Sequence, residues 1–319
     1  MAGSSPETNK HQSQSTPPLP IEWPSGYTAA ACLTFDIDAE SPVLTADLRA
    51  ARRMSPMSHQ SYGPLVGVPR ILELLARHSI PATFFAPGYT AERYPDIIRM
   101  IADAGHEIAH HSYFHEDTSG MDEATEAEMI DRGLEALDRV AGIRPSGYRA
   151  PMWEMNYHTP RLLAERGFTY DSSLMDSDHP YLLNAGDAAD ATLVELPVWW
   201  GLDDWEQYAF LPGLLGSGVI ESPAKALEMW TLELDAMHRF GALFDLCCHP
   251  FLSGRPARSL ALERLIEHMR ELPGLWVTSL GEVAQHVRGL ALSPRSLTEP
   301  VIPDAHWIGR PHQEGSTHE

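Results

Sequence analysis

Apolar positions along this chain keep two rhythms in alternation, short runs of strand length and longer stretches at helical spacing. The short runs fall at 29–37 (AAACLTFDI), 82–86 (ATFFA), 106–110 (HEIAH), 146–149, 168–171, 193–198 (LVELPV), 243–248 (LFDLCC) and 275–278 (LWVT), and each predicts a strand. Helices are expected between them. PRILELLARHS opens on Pro69 at a first helical position, YPDIIRMIADAG closes on Gly105, and MDEATEAEMIDRGLEALDRVAG closes on Gly142. These are the residue types that start and stop helices. Further helices are read at about 159–166, 222–240 and 256–270. Repeated strand-then-helix order with apolar strands implies a parallel sheet covered by helices. The expected fold is α/β, a single-domain (β/α) barrel of seven or eight parallel strands, with an open doubly wound sheet as the alternative. In both, reactive groups collect just beyond the C-terminal ends of the strands.

The periodicity fails at both ends. Residues 1–20 are rich in Ser, Gln, Pro and Thr and nearly free of aliphatics. Such a stretch cannot bury enough apolar surface to offset its ordering entropy, so a disordered arm is expected. Residues 291–319 carry prolines and no sustained period. They predict an irregular tail, with Ile302 and Trp307 as possible anchors, and leave 21–290 as the catalytic domain. The chain holds 23 basic and 44 acidic residues, a formal charge of −21. That balance repels phosphate backbones and anionic lipid, which excludes nucleic acid and membrane surfaces as partners. No run approaches the ~18 apolar residues of a membrane span. The first residues show neither the basic stretch nor the apolar core of a secretion signal, so a cytoplasmic protein is expected. Cys32, Cys247 and Cys248 read as small buried hydrophobes rather than a disulfide framework.

Candidate chemistry begins where the first strand ends, in Thr34-Phe35-Asp36-Ile37-Asp38-Ala39-Glu40. Alternation sends Asp36 and Asp38 to one side, where two carboxylates repel unless a cation or proton lies between them. A solvated turn is the other reading. The stretch Gly105-His106-Glu107-Ile108-Ala109-His110-His111-Ser112-Tyr113-Phe114-His115-Glu116 offers two metal patterns. His106-Glu107-x-x-His110 fits the zinc-protease motif only on a helix, and here Gly105 has just ended one. His111 and His115 follow the strand end. With Asp38 they make a familiar zinc set that leaves a position open, and solvated, pH-sensitive histidines are the alternative. His110 is expected to turn the other way. Arg149, in Gly147-Tyr148-Arg149-Ala150-Pro151-Met152-Trp153-Glu154, is a fixed cation that could pair with a strand-one carboxylate and lower its pKa. His249 ends the apolar run Phe244-Asp245-Leu246-Cys247-Cys248, where it could donate a proton to a leaving group.

Taken in order, Thr34-Phe35-Asp36-x-Asp38, His111-Ser112-x-x-His115, Arg149-Ala150-Pro151 and Leu246-x-x-His249-Pro250 resemble motifs of the polysaccharide deacetylases, carbohydrate esterase family 4. They extend over about residues 29–288. The resemblance implies a distorted (β/α) barrel and a divalent metal, most commonly zinc (Zn2+), held by Asp38, His111 and His115. It also implies Asp36 as general base, Arg149 as its tether and His249 as general acid. Water acidified by the ion would give its proton to Asp36 and attack an amide carbonyl, while His249 protonates the departing nitrogen. An acidic residue should orient His249; Asp203 or Asp204 in Trp199-Trp200-Gly201-Leu202-Asp203-Asp204-Trp205 is the candidate, with Asp171 or Asp176 behind it.

The sequence also departs from the common family pattern. Asp-Ile-Asp-Ala-Glu stands where adjacent aspartates and a glycine are usual, and Met152-Trp153-Glu154 stands where a small residue is usual. With Val66-Gly67-Val68-Pro69-Arg70 and Tyr170-Asp171-Ser172-Ser173-Leu174-Met175, these features resemble an intracellular branch. That branch contains cyclic imide hydrolases, allantoinase-like enzymes and proteins named peptidoglycan deacetylases; its barrels are often tetramers, so a homo-oligomer is implied. Trp153, Glu154, Trp199 and Asp204 are the expected substrate-pocket residues, with Trp200, Trp205 and the loop near Met54–Tyr62 completing a wall. A walled pocket suits a small molecule, so the expected function is hydrolysis of a non-peptide C–N bond in a cyclic imide or related amide. N-acetyl-sugar deacetylation is the alternative. A barrel that binds a ligand without turnover is the third reading, and Asp36 and His249 stand against it, since binding needs neither acid nor base.

Overall fold

Alternation along the first strand, β1 (Ala29–Asp36), sorts its side chains into two columns. Ala29, Ala31, Leu33 and Phe35 pack with residues of the covering helices, such as Ile71, Ile98, Trp230 and Leu265. Ala30, Cys32, Thr34 and Asp36 lie on the opposite, interior face. This is a computed structural model in which residues 20–186, 191–215 and 218–302 are described. The expected arm, apart from residue 20, and Trp307 lie outside them.

The sheet has nine strands. From β1 the order runs through β2 (Thr83–Ala86), β3 (Glu107–His110), β4 (Gly147–Tyr148), β5 (Tyr170–Asp171), β7 (Thr192–Glu195) and β6 (Tyr181–Asn184) on one side, with β8 (Leu243–Cys248) on the other. All pairings are parallel except β6 with β7. β9 (Leu275–Val277) pairs with Ala29–Ala31 of β1, whereas β2 pairs with Thr34–Asp36. Because β8 occupies the other edge of β1, β9 and β2 share one edge and the sheet splays around them, giving a single-domain distorted (β/α) barrel. The eight expected strands are all present, and β6 is the addition. Its four residues, alternately buried and less buried, are too few to stand out as a period.

The six expected helices are present as Val68–His78, Pro95–Asp103, Glu123–Ala141, Thr159–Glu165, Pro223–Phe240 and Pro256–Glu271. The expected loop at Met54–Tyr62 is instead helical and runs through a wide turn, Gly63–Gly67, into Val68–His78, so Pro69 does not begin the helix. MSPMSHQSY has no apolar stripe to announce it, and a widened turn is one way a helix accommodates prolines that lack an amide donor. Gly67 is needed there because a Cβ would sit 2.1 Å from the Pro250 carbonyl oxygen. Helix Leu280–Arg288 was also not expected; Leu280, Val283, Ala284 and Val287 pack with Ala30, Cys32, Phe85, Ala109 and Val194, filling the barrel below the reactive end.

All three cysteines are buried and free. Residues 291–302 form no helix, and Arg295, not the exposed Ile302, ties them down: the Arg295 amide donates to Leu182 O, and its own carbonyl accepts from the Asn184 amide. Among the described residues no helix is long and apolar enough to cross a membrane.

His110 faces away from the interior, as expected. Its Nε2 donates to Ile130 O at 3.0 Å and its Nδ1 accepts from the Ser112 amide at 3.1 Å. The ring sits against Gly133 of helix Glu123–Ala141, where a Cβ would lie 2.3 Å from His110 Nε2 and 2.6 Å from Ser112 O. Alanine favours a helix interior over glycine by about 1 kcal/mol, yet Gly133→Ala is expected to lower stability by ~1–3 kcal/mol through overpacking. Urea unfolding checks this; an unchanged or raised midpoint would show that His110 has room to yield.

Candidate active site

The interior column of β1 ends in Thr34 and Asp36, and at that level one buried cation organises the barrel. Arg149, immediately after β4, is completely buried. Its Nη1 donates to Thr34 Oγ1 at 2.9 Å and Asp36 Oδ1 at 3.0 Å, its Nη2 to Ser172 Oγ at 3.0 Å and Asp245 Oδ2 at 2.9 Å, and its Nε to Ser172 O at 3.1 Å. Every N–H of the guanidinium thus has an acceptor, the condition under which such a charge can be buried. The Phe85 ring lies 4.1 Å from the guanidinium carbon. Burial opposes the charge on Asp36, but Arg149, His111 and His249 outweigh it and hold the carboxyl below its ordinary value.

Above this layer lie Asp38, His111 and His115, all buried. His111 Nε2 is 3.5 Å from Asp38 Oδ1 and His115 Nε2 is 3.6 Å from Asp38 Oδ2. One ligand atom from each residue falls within 4.8 Å of the others. Both oxygens of Asp38 are buried without a hydrogen-bond partner, an arrangement costly to leave unmet. His111 Nδ1 lies 2.7 Å from the Arg149 carbonyl oxygen, so it donates there and turns the Nε2 lone pair toward Asp38. Burial, with help from His111 and His249 and against Asp38, pushes His115 down to about 4, which leaves it neutral near pH 7. One carboxylate and two imidazoles with unused donor atoms fit a divalent cation.

His249 closes the other side, its Nε2 3.6 Å from Asp38 Oδ2. Asp204 Oδ1 accepts from both its Nδ1 at 2.8 Å and its amide at 2.9 Å, and Asp204 Oδ2 accepts from Ser253. Of the sequence candidates for orienting His249, Asp204 is therefore the one in place. Asp171 accepts from Ser173, and Asp176 from Arg295 and Tyr181. Burial would push the His249 imidazole down, but Asp203, the hydrogen bond and charge of Asp204, and Asp38 together raise it to about 10.

These groups open into a cavity of about 660 Å³ lined by Asp36, His111, His115 and His249 and walled by Trp153, Trp200, Trp205, Pro42, Leu214 and Leu215. Trp153 and Trp200 stack with ring centroids 4.7 Å apart. Glu154, Trp199 and Asp204, expected in the pocket, do not line it; Asp204 is buried behind His249 instead. Met152 and Trp153 both have φ of 55°, a turn that swings Trp153 inward and leaves Glu154 exposed. Trp199 folds its ring onto Gly201, where a Cβ would meet it at 1.9 Å. Helix Met54–Tyr62 backs the wall through Met57 without lining the cavity. His106 and His110 take no part. Four residues along an extended strand span ~13 Å, so the protease-like motif cannot close on one ion.

The signal for what sequence reasoning missed was a lone charge in an apolar strand. Asp245 in LFDLCC could be buried only beside a cation, and Arg149 is that cation. Strain was not legible: of the six non-glycine residues with positive φ among the described residues, Ala39, Ser112, His115, Met152 and Trp153 belong to loops of this site, and strained backbone clusters at functional sites.

A family model described as polysaccharide deacetylase matches residues 62–170. The Helicobacter pylori protein named peptidoglycan deacetylase is 35% identical over 67% of this chain and 81% of its own length. The chain belongs to the polysaccharide deacetylase family. Among solved structures, a protein from Mycobacterium smegmatis assigned to the polysaccharide deacetylases is 57% identical, with a TM-score of 0.88 over 90% of this chain and 99% of that one. Puue allantoinase is 28% identical, with a TM-score of 0.74 over 87% of this chain and 95% of that one. Membership makes this polysaccharide deacetylase family chain a hydrolase of amide C–N bonds.

Removing the organising cation should cost more than any surface pair in this deacetylase family member. Arg149→Met leaves Asp36 and Asp245 buried without it, and a loss of ~3–5 kcal/mol is expected. Arg161→Met, at a site paired with the exposed Glu123 and Glu165, should change little. Urea unfolding of the two variants side by side reads the difference, and equal midpoints would remove Arg149 from its structural role.

Proposed function

We propose that this chain removes the acetyl group from an N-acetylated amino sugar, with Asp38, His111 and His115 holding a divalent cation, zinc first by the character of the donor set. The observation that carries the reading is the unpartnered Asp38 carboxylate between two imidazoles, flanked by an Arg149-held Asp36 and an Asp204-held His249. The similarity to the Helicobacter pylori peptidoglycan deacetylase puts an acetamido sugar ahead of the cyclic imide expected from sequence. When bound, the cation supplies a Lewis acid that acidifies water and polarises the amide carbonyl. Asp36, kept ionised by Arg149, takes one proton from the water as its oxygen bonds the carbonyl carbon. His249, kept protonated by Asp203 and Asp204, gives a proton to the nitrogen as the C–N bond breaks. Acetate and a free amine leave, and the proton on Asp36 returns to solvent while His249 is reprotonated.

A second reading, opening of a small cyclic imide or ureide, is favoured by the flat Trp153–Trp200 wall of a largely apolar cavity and by the similarity to Puue allantoinase. The chemistry at the carbonyl is the same. What differs is whether the released amine stays attached to the acid.

Four measurements test these assignments. Chelation should abolish activity and zinc should restore it. Elemental analysis of Asp38→Asn and His115→Ala should show the ion lost, whereas His106→Ala keeps it; full occupancy in His115→Ala would remove that residue from the ligand set. Asp36→Asn and His249→Ala should retain metal and lose ~10²–10⁴-fold in turnover. Acetate release from N-acetylglucosamine oligomers and ring opening of hydantoin or succinimide, compared on one preparation, decide the substrate class. Ring opening without acetate release would overturn the deacetylase reading in favour of the second.

A further inference from the structure

One buried carboxyl in the cavity transfers no proton in the chemistry above and, apart from the charge it sets beside His249, leaves one oxygen unused. Asp203 lines the cavity and is 5% exposed, whereas the other carboxyls there apart from Asp36, those of Asp117 and Glu206, are on the exposed rim. Its Oδ1 caps the short helix Asp204–Tyr208 by accepting from the Trp205 amide at 2.8 Å. That oxygen also lies 3.5 Å from His249 Nδ1, but the nitrogen's proton goes to Asp204 at 2.8 Å, so Asp203 does not hold the imidazole. The other oxygen of Asp203 makes no hydrogen bond among the described residues. Capping needs one oxygen and is met as well by Ser or Asn. The second oxygen keeps contact with the open space of the cavity, where it can accept from a bound molecule.

Position says what that partner is. The Nε2 of His249 faces Asp38 and its Nδ1 faces Asp203 and Asp204, so Asp203 stands on the side of the imidazole away from the metal-ligand candidates. Substituents of the departing nitrogen that extend past His249 reach the part of the cavity wall that holds Asp203 and Trp205. We propose that Asp203 is a specificity-determining residue whose free oxygen accepts a hydrogen bond from an O–H or N–H group carried two or three bonds from the scissile nitrogen. The assignment rests on the amide-hydrolase reading of this site. An amino sugar supplies such a donor as the hydroxyl next to the acetamido carbon, and a cyclic ureide supplies it as a second ring N–H. A plain N-acetyl alkylamine supplies none, and Asp203 selects against it.

The test pairs substrates that differ only in this donor: N-acetylglucosamine oligomers against their 3-deoxy counterparts, and hydantoin against its N-methyl derivative. Asp203→Asn keeps an oxygen for the Trp205 amide and turns the free position from acceptor to donor. Asp203→Ser keeps a cap should the amide fail to fold. On the donor-bearing member of the pair that the wild type cleaves, assayed at pH 8 where the Asp203 carboxyl, pushed up by burial to about 7, is ionised, either variant should lose ~10–10²-fold in kcat/KM, the worth of a hydrogen bond to a charged group. On the donor-lacking member the loss should be smaller by about tenfold or more, because the hydrogen bond is already absent there, while the effect of the lost charge on His249 falls on both members alike. Which pair is cleaved identifies whether the donor is a hydroxyl or a ring N–H. Equal losses on both members, or none on either, overturn the Asp203 assignment alone. A wild-type enzyme that cleaves neither pair overturns the amide-hydrolase reading and the assignment with it.

Discussion

A guanidinium without solvent can exist in this barrel only if every one of its N–H groups finds an acceptor, and that requirement sets the relation among the strands. Arg149 draws on Thr34 and Asp36 from β1, Ser172 from the end of β5 and Asp245 from β8. Its main-chain carbonyl receives His111 from the end of β3. One residue therefore orients the base candidate through its side chain and a metal-ligand candidate through its backbone. The two functions share a single anchor, so the geometry between them is as rigid as the barrel wall.

Orientation on the acid side is independent. Asp204 grips His249 twice, at the ring and at the amide, and Ser253 holds the second oxygen of that carboxylate. Asp36 and His249 thus approach Asp38 from opposite supports, one cationic and one anionic. The cation beside Asp36 favours a proton acceptor, and the anions beside His249 favour a proton donor, which is the division of labour that amide hydrolysis needs. The same two residue types with their supports exchanged would present a protonated acid and a neutral imidazole, and the roles would reverse.

How much of this was legible follows from what each signal depends on. Strands buried on both faces announce themselves as apolar runs, and helices by their stripe or by the prolines and glycines at their ends, so eight strands and six helices were readable. Ser41–Ala46, Gly88–Arg93 and Asp204–Tyr208 are too short for a period, and Met54–Tyr62 lacks a stripe because it is held by contacts rather than by its own amphipathicity. Asp36, Asp38, His111, His115, Arg149 and His249 were readable as residues that follow strand ends. Trp153 in the cavity was readable as chemistry, whereas the exclusion of Glu154 and Trp199 was not, since it depends on two positive φ angles and on the space above Gly201. Asp203 and Asp204 are adjacent and alike in sequence; only the three-dimensional placement separates the one that grips His249 from the one that faces the cavity.

The pairing of β1 with β8 also sets an order in time. Ala30 meets Leu243 and Phe35 meets Cys248, so the central strand of the barrel waits for the last third of the chain before its second edge is filled. A ribosome releases Asp38, His111, His115 and Arg149 well before Asp245 and His249. Until β8 arrives, Arg149 lacks its second carboxylate, the interior holds an incompletely matched charge, and the non-local pairing that would seal it has not formed. A nascent chain that has already exposed its metal-ligand candidates to ions therefore has neither a closed barrel nor its proton-donor candidate. Completion of the fold and completion of the catalytic set fall on the same few residues, so a prematurely terminated product is left both unstable and inert.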